Sequence, residues 1–192
     1  KARALGEGAA TAQTSNFKNT VGSLKRLIGR TFQDPSIQQY EKPFVNAELV
    51  DAKGEVGVKV RFLGEERIFS ATQLLGMYLG KLRDTTQREL GGSGVSDVVL
   101  SVPIWFTDNQ RRAMLNAAEI ANLNPLRVMN EPTAVALGYG ITKTDLPEPE
   151  NPRNVIFVDV GHSSYQVSVV AFCKGQLTVL GAWSDPNFGG RN

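Results

Sequence analysis

Apolar positions along the chain switch between helical and strand spacing, and they sort it into alternating elements. Residues 1–15, rich in Gly, Ala and Thr, read as irregular. Over 16–28, Val21, Leu24, Leu27 and Ile28 fall on one helical face, with Ser15 or Asn16 to cap it and Gly29 to end it. Lys25 and Arg26 beside that stripe read as a solvated basic edge. Pro35 and Pro43 flank a short helical candidate. Short strands are expected at 49–51, 56–63 and 67–69, with turns at Lys53-Gly54 and Gly64-Glu65. Val56, Val58, Val60 and Phe62 give the middle strand one apolar face.

Ser70 and Gln73 have capping-box spacing and open a helix reaching about residue 90, with Ala71, Leu74, Leu75, Tyr78 and Leu82 on its apolar face. A strand at 97–102 is stopped by Pro103. Thr107 and Gln110 repeat the capping spacing ahead of a helix that buries Met114, Ala117, Ala118 and Ala121. A strand at 126–129 leads to Glu131, Pro132 and a short helix at 134–139, weakened by Gly138 and Gly140. The rhythm of strand and helix implies an α/β layer. Residues 142–154, with Pro147, Pro149 and Pro152 among acidic side chains, read as a wet, extended linker. Beyond it, the unbroken run 155–158 suits a strand covered on both faces. Gln166 to Ala171 alternate as a second strand, Lys174-Gly175 turns the chain, and Leu177, Val179 and Leu180 begin a third. Four stretches follow: a helix-plus-sheet subdomain at 1–69, a core α/β subdomain at 70–141, a linker at 142–153 and the strand unit at 154–192.

Composition narrows the partners. The 192 residues are 41% hydrophobic, enough for a core. Net charge is +2, from 21 basic and 19 acidic side chains, which gives no electrostatic case for nucleic acid or a membrane surface. No apolar run approaches the roughly 20 residues of a membrane helix. Cys173 and His162 are the sole residues of their types, so an internal disulfide and a histidine-rich or multi-cysteine metal site are excluded. Cys173, inside an apolar strand, reads as a structural thiol. The opening Lys1-Ala2-Arg3, without methionine, is the start expected of an internal piece of a longer polypeptide.

Candidate chemistry sits in the turn after residue 158. Asp159 ends the strand, and Gly161, Ser163 and Ser164 let the backbone approach a ligand closely. Successive N–H groups in such a turn form an anion-binding concavity, and the neighbouring carboxylate suits a hydrated Mg²⁺ bridging phosphate oxygens. Taken alone, the same letters also describe an ordinary hairpin.

Other segments change that balance. Residues 25–30 read KRLIGR, 102–111 read VPIWFTDNQR, 128–134 read VMNEPTA, 159–164 read DVGHSS and 188–190 read FGG. In order and spacing the whole chain resembles the nucleotide-binding domain of the 70-kDa heat-shock chaperone family (heat shock protein 70). GHSSY at 161–165 and YGITKTDLP at 139–147 are similar to its large 110-kDa branch, the fungal-type nucleotide-exchange chaperones. The resemblance implies an α/β actin/hexokinase-like ATPase fold, held here incompletely as most of lobe I plus the first hairpin of lobe II. It implies a cytoplasmic stress-response co-chaperone that binds ATP/ADP with Mg²⁺, exchanges nucleotide on 70-kDa heat-shock chaperones and holds unfolded client proteins, with no nucleic acid or membrane partner. The cofactors are expected of the complete parent, whose first phosphate loop would lie upstream of Lys1 and whose adenine-contacting lobe would lie downstream of Asn192.

By resemblance, Lys25 reaches the γ-phosphate and attacking water, and Glu131 lies near metal and water. Asp159 is the metal-side carboxylate, acting through water. Gly161, His162, Ser163 and Ser164 form the second phosphate loop, and Gly189 and Gly190 approach the phosphates. Pro103 is the interdomain switch and Arg111 its relay. Plainer roles stay open beside these: Lys25 as an exposed helix lysine, Glu131 as a first-turn charge favoured by the helix dipole, Pro103 as a strand stop, and Arg111 as a partner of Asp108. His162 either bonds phosphate or faces solvent. The sequence departs from the mainstream family where His162 and Ser163 replace glycines, and where Gln166 replaces an aspartate. An amide can bond water but cannot act as a base, so binding is expected to outlast hydrolysis, which is slow at most. Rival readings are a mainstream ATP-hydrolysing folding chaperone, a small-molecule kinase of the same superfamily, and a purely structural interaction fragment.

Overall fold

A computed structural model describes residues 3–192; Lys1 and Ala2 lie outside the described residues. The expected irregular start holds one helical turn, α1 (Glu7–Ala10). Contacts divide the chain into two compact units, one running to Val98 and resuming over Thr107–Leu126, the other comprising Val99–Phe106 and Arg127–Asn192.

In the first unit, the helix expected over 16–28 is broken. A 3₁₀ turn at Phe17–Asn19 is followed by a single α turn, α2 (Leu24–Leu27). Ser23 adopts a left-handed φ of 56°, which a continuous helix does not admit. The apolar stripe is nonetheless buried at Leu27 and Ile28. Arg26 is not a solvated edge: it is buried, and its Nε donates to Glu41 Oε1 at 2.7 Å. Glu41 ends a π-helical turn, Ile37–Glu41, so this ion pair ties two short segments that have little helix of their own. Removing one member of such a pair strands the other charge and costs about 3–5 kcal/mol.

A three-stranded antiparallel sheet follows: β1 (Glu48–Ala52), β2 (Glu55–Phe62) and β3 (Glu65–Ser70). Two-residue turns join them at Lys53-Gly54 and Leu63-Gly64, every turn residue having positive φ. That conformation matches the twist of paired strands. The second turn falls one residue earlier than the glycine alone suggests, because exposed Leu63 takes the left-handed position. Val56 and Val58 are fully buried.

Ser70 and Gln73 form the expected reciprocal capping box at the start of α3 (Ala71–Glu89). Its stripe is buried only in the first half. Ala71 and Leu75 are covered, whereas Tyr78 and Leu82 are exposed. α4 (Asp108–Ile120), itself capped by Thr107 and Gln110, meets α3 at Gly76, where an added Cβ would lie 2.6 Å from Ile120 Cγ2. Ala113, Met114, Ala117 and Ala118 form the buried face of α4. β4 (Asp97–Val102) pairs with β5 (Asn124–Asn130).

In the second unit, α5 (Glu131–Thr142) runs through both glycines instead of stopping near residue 139. Gly140 faces the Phe172 ring, with an added Cβ only 3.3 Å from Cε1. The sheet is antiparallel, in the order β6 (Arg153–Val160), β7 (Tyr165–Cys173), β8 (Gln176–Asp185). Ala136, Val170 and Phe172 make its core with α5, joined by Tyr139, Val155 and Phe157. Cys173 is buried, as a structural thiol should be. The run at 155–158 is covered on one face only: Ile156, Val158 and Val160 are exposed among the described residues. The expected linker is tied down as well. Pro147 O accepts from Lys174 N, and Leu146 packs on the core cluster. The Arg153 guanidinium beside Asp145 holds that carboxyl below its ordinary value. No helix among the described residues is long and apolar enough to cross a membrane.

Two glycines make opposite predictions. Gly29 has φ +64°, and an added Cβ would lie 2.5 Å from Gln110 Cα. Gly29→Ala is therefore expected to destabilise by about 1–3 kcal/mol. Gly138 lies within α5 with nothing near its Cβ position, so Gly138→Ala is expected to stabilise by about 0.5–1 kcal/mol. Denaturant midpoints of the two variants check both signs.

Candidate functional site

Strands β6 and β7 are joined by the turn at 161–164, and this turn organises the second unit's chemistry. Gly161 N donates to Ser164 O at 2.9 Å and closes it. The C-terminal segment docks on it: Gly190 N donates to Gly161 O at 3.0 Å, and Arg191 N to His162 O at 2.8 Å. Gly189 lies so close that an added Cβ would be 2.7 Å from Ser163 N and Ser164 N. Only glycine fits such an approach. The carbonyls of Gly161, His162 and Ser164 are thus taken, while the amides of His162, Ser163 and Ser164 donate to no backbone carbonyl among the described residues. Three successive donors form a concavity suited to an anion. The His162 ring is exposed to solvent.

A four-residue turn pairs Asp159 with Gln166 across the hairpin. Gln166 is 2% exposed, and its carboxamide is fully used. Its Nε2 donates to Glu131 Oε2 at 2.8 Å and more weakly to Asp159 Oδ2 at 3.4 Å. Its Oε1 accepts from Ile104 N at 2.9 Å. Two carboxylates on one side and an N–H donor on the other fix which way the amide points. In the sequence alone Gln166 is a missing carboxylate left to bond water; buried, it bonds protein instead. The signal lies in the turn length, which sets the hairpin register and so the partner of Asp159.

Glu131 opens α5 and is half-buried, where the helix N-terminus favours its charge. Asp159 is exposed. Pro103 is fully buried after β4, and its carbonyl accepts from Phe106 N at 3.1 Å. Trp105 and Phe106 pack edge to face, 5.0 Å between centroids. Pro103, Glu131, Asp159, the turn at 161–164 and Gly189-Gly190 all belong to the second unit. Lys25 and Arg111 belong to the first. Lys25 is exposed on α2, and Arg111 is half-buried on α4. Asp108 pairs with Arg112, whose Nε lies 2.7 Å from Asp108 Oδ2.

No three His, Cys, Asp or Glu side chains converge on one point among the described residues. A closed protein cage for a metal is therefore not what these residues offer. Mg²⁺ commonly keeps most of its waters and takes one or two carboxylates together with phosphate oxygens. An exposed Asp159 beside three open amides fits that mode of binding.

Known proteins carry the same sequence pattern. The family model described as Hsp70 protein matches residues 1–192. Heat shock protein hsp88 of Neurospora crassa is 56% identical over 193 residues, covering 100% of this chain and 27% of its own length. A heat shock protein homolog of Saccharomyces cerevisiae is 50% identical over 195 residues, covering 100% of this chain and 28% of its own length. Heat shock 70 kDa protein 4L of Homo sapiens is 48% identical over 195 residues, covering 100% of this chain and 23% of its own length. The chain thus spans roughly a quarter of the length of these curated relatives. Its helices and sheets are part of an actin/hexokinase-like ATPase fold. The chain belongs to the Hsp70 family of heat-shock proteins, on its large 110-kDa branch.

Proposed function

We propose that the protein containing these residues is a cytoplasmic co-chaperone. It binds ATP or ADP with Mg²⁺, drives nucleotide exchange on 70-kDa heat-shock chaperones and holds unfolded client proteins. The observation that carries this reading is Gln166. Its buried amide bonds both Glu131 and Asp159 where a third carboxylate would otherwise stand, which supports binding of nucleotide in preference to its turnover.

Phosphoryl transfer depends on positioning water, metal and phosphate, because the protein has little covalent work to do. Bound Mg²⁺ neutralises charge on the phosphate oxygens. Asp159 would hold the hydrated ion from the end of β6, and the amides of His162, Ser163 and Ser164 would receive phosphate oxygens. Gly189 and Gly190 keep the turn's backbone in place. The resemblance assigns Lys25 to the γ-phosphate and Pro103 with Arg111 to the interdomain switch. Glu131 accepts a hydrogen bond from the Gln166 amide, and an amide takes no proton from water. Exchange needs the bound state rather than turnover, so a site that binds well and hydrolyses slowly suits it.

Asp159→Ala in the full-length protein is the direct test. Its ATP affinity is expected to fall about tenfold, equivalent to roughly 1.4 kcal/mol, and ADP release from the partner chaperone is expected to slow with it. Normal ATP binding together with parental ADP release would overturn the assignment. Lys25→Met is expected to lose the ATP-dependent protection from protease while keeping the fold; equal protection in mutant and parent returns Lys25 to the surface. Gly189→Ala is expected to weaken ATP binding, whereas Gly181→Ala, with nothing near its Cβ position, leaves affinity unchanged. Calorimetric titration of both glycine variants decides between a local clash and a general loss of stability.

A further inference from the structure

Gln166 joins groups that serve different purposes. Glu131 stands at the start of α5, Asp159 at the end of β6, and Ile104 directly after Pro103. The Ile104 N–H is the first backbone donor beyond β4, because proline has none. From there the chain runs through Phe106, the last residue of this stretch in the second unit, to Thr107 in the first. The carboxamide is planar, and both its nitrogen and its oxygen are engaged. A shift of Glu131 or Asp159 must therefore turn the amide or break a bond to it. Since the side chain is 2% exposed, water does not readily replace the lost partner.

We propose that Gln166 is a positioning residue that transmits the state of the Glu131–Asp159 carboxylate pair to the Pro103–Ile104 segment. The proposal rests on the nucleotide-binding reading above and adds the residue through which binding is felt. The groups facing the amide are the Glu131 and Asp159 carboxylates and the Ile104 N–H. Mg·ATP held by Asp159 together with the turn at 161–164 competes with the weaker, 3.4 Å bond. Nε2 then settles on Glu131 alone, and Oε1 moves relative to Ile104. Before any cation binds, the neutral amide keeps the two carboxylates in place, because its N–H groups offset the repulsion between them.

Hydrogen exchange at the Ile104 amide of the full-length protein reads the relay directly. In the unmutated protein, Mg·ATP is expected to change Ile104 exchange about tenfold, while Mg²⁺ alone leaves it unchanged. Gln166→Met removes both halves of the amide. Ile104 should then exchange fast and show no response to Mg·ATP, although the amides at 162–164 still respond. Gln166→Glu keeps the acceptor for Ile104 and sets a third carboxylate against Glu131 and Asp159. Its Ile104 exchange should be about tenfold faster without cation and recover on adding Mg²⁺ alone, a dependence that simple loss of packing does not produce. A retained Mg·ATP response at Ile104 in Gln166→Met overturns this proposal and leaves nucleotide binding standing. Should that variant fail to fold, the absence of any Mg²⁺ effect at Ile104 in Gln166→Glu overturns it instead. No response at 162–164 in the unmutated protein overturns the binding reading, and this proposal with it.

Discussion

A buried amide between two carboxylates is the constraint on which the second unit depends. Taking Gln166 out of water costs free energy unless both ends of its carboxamide find partners. They do: Glu131 and Asp159 accept from the nitrogen, and Ile104 donates to the oxygen. Those bonds fix the start of α5, the end of β6 and the chain beyond Pro103 against one side chain of β7. A carboxylate in the same place would meet two like charges and need a cation to offset them. Glutamine therefore leaves a site that is satisfied before any ligand arrives, and this bears on both binding and turnover.

Packing delivers these groups to their places. Ala136, Val170 and Phe172 hold α5 on one face of the sheet, and the Tyr139 ring lies 5.1 Å from Phe172 and 5.6 Å from Phe157. That contact sets where Glu131 emerges at the helix start. The β6–β7 register then places Asp159 opposite Gln166, and the Gly189–Arg191 segment holds the turn between them. In the first unit, α2 is only one turn long and owes little to helix propensity. Its position comes from buried Leu27 and Ile28, from the Arg26–Glu41 pair, and from the contact of Gly29 with Gln110.

Much of this architecture is legible in the sequence, because local chemistry specifies it. Ser70 with Gln73 and Thr107 with Gln110 announce two helix starts, and both form as reciprocal capping boxes. Pro103 ends its strand, and the three C-terminal strands occur in the expected order. What stays hidden depends on contacts distant in sequence. Helical spacing over 16–28 says nothing of a left-handed Ser23, and nothing marks Arg26 as the buried partner of Glu41, fifteen residues on. Gly138 and Gly140 weaken an isolated helix, yet α5 continues because the sheet supports it. In the site itself, the turn and its docking glycines follow from small residues. The role of Gln166 requires knowing that the hairpin brings it to Asp159 and that Glu131 and Ile104 arrive from elsewhere.

The central claim is that the turn at 161–164 receives nucleotide phosphate while Gln166 keeps its place between Glu131 and Asp159. A crystal structure of the full-length protein with Mg·ADP tests it most directly. Phosphate oxygens are expected within hydrogen-bond distance of the His162, Ser163 and Ser164 amides, with the Gln166 amide still bonded to Glu131. Nucleotide bound elsewhere, with those amides facing solvent, would contradict it.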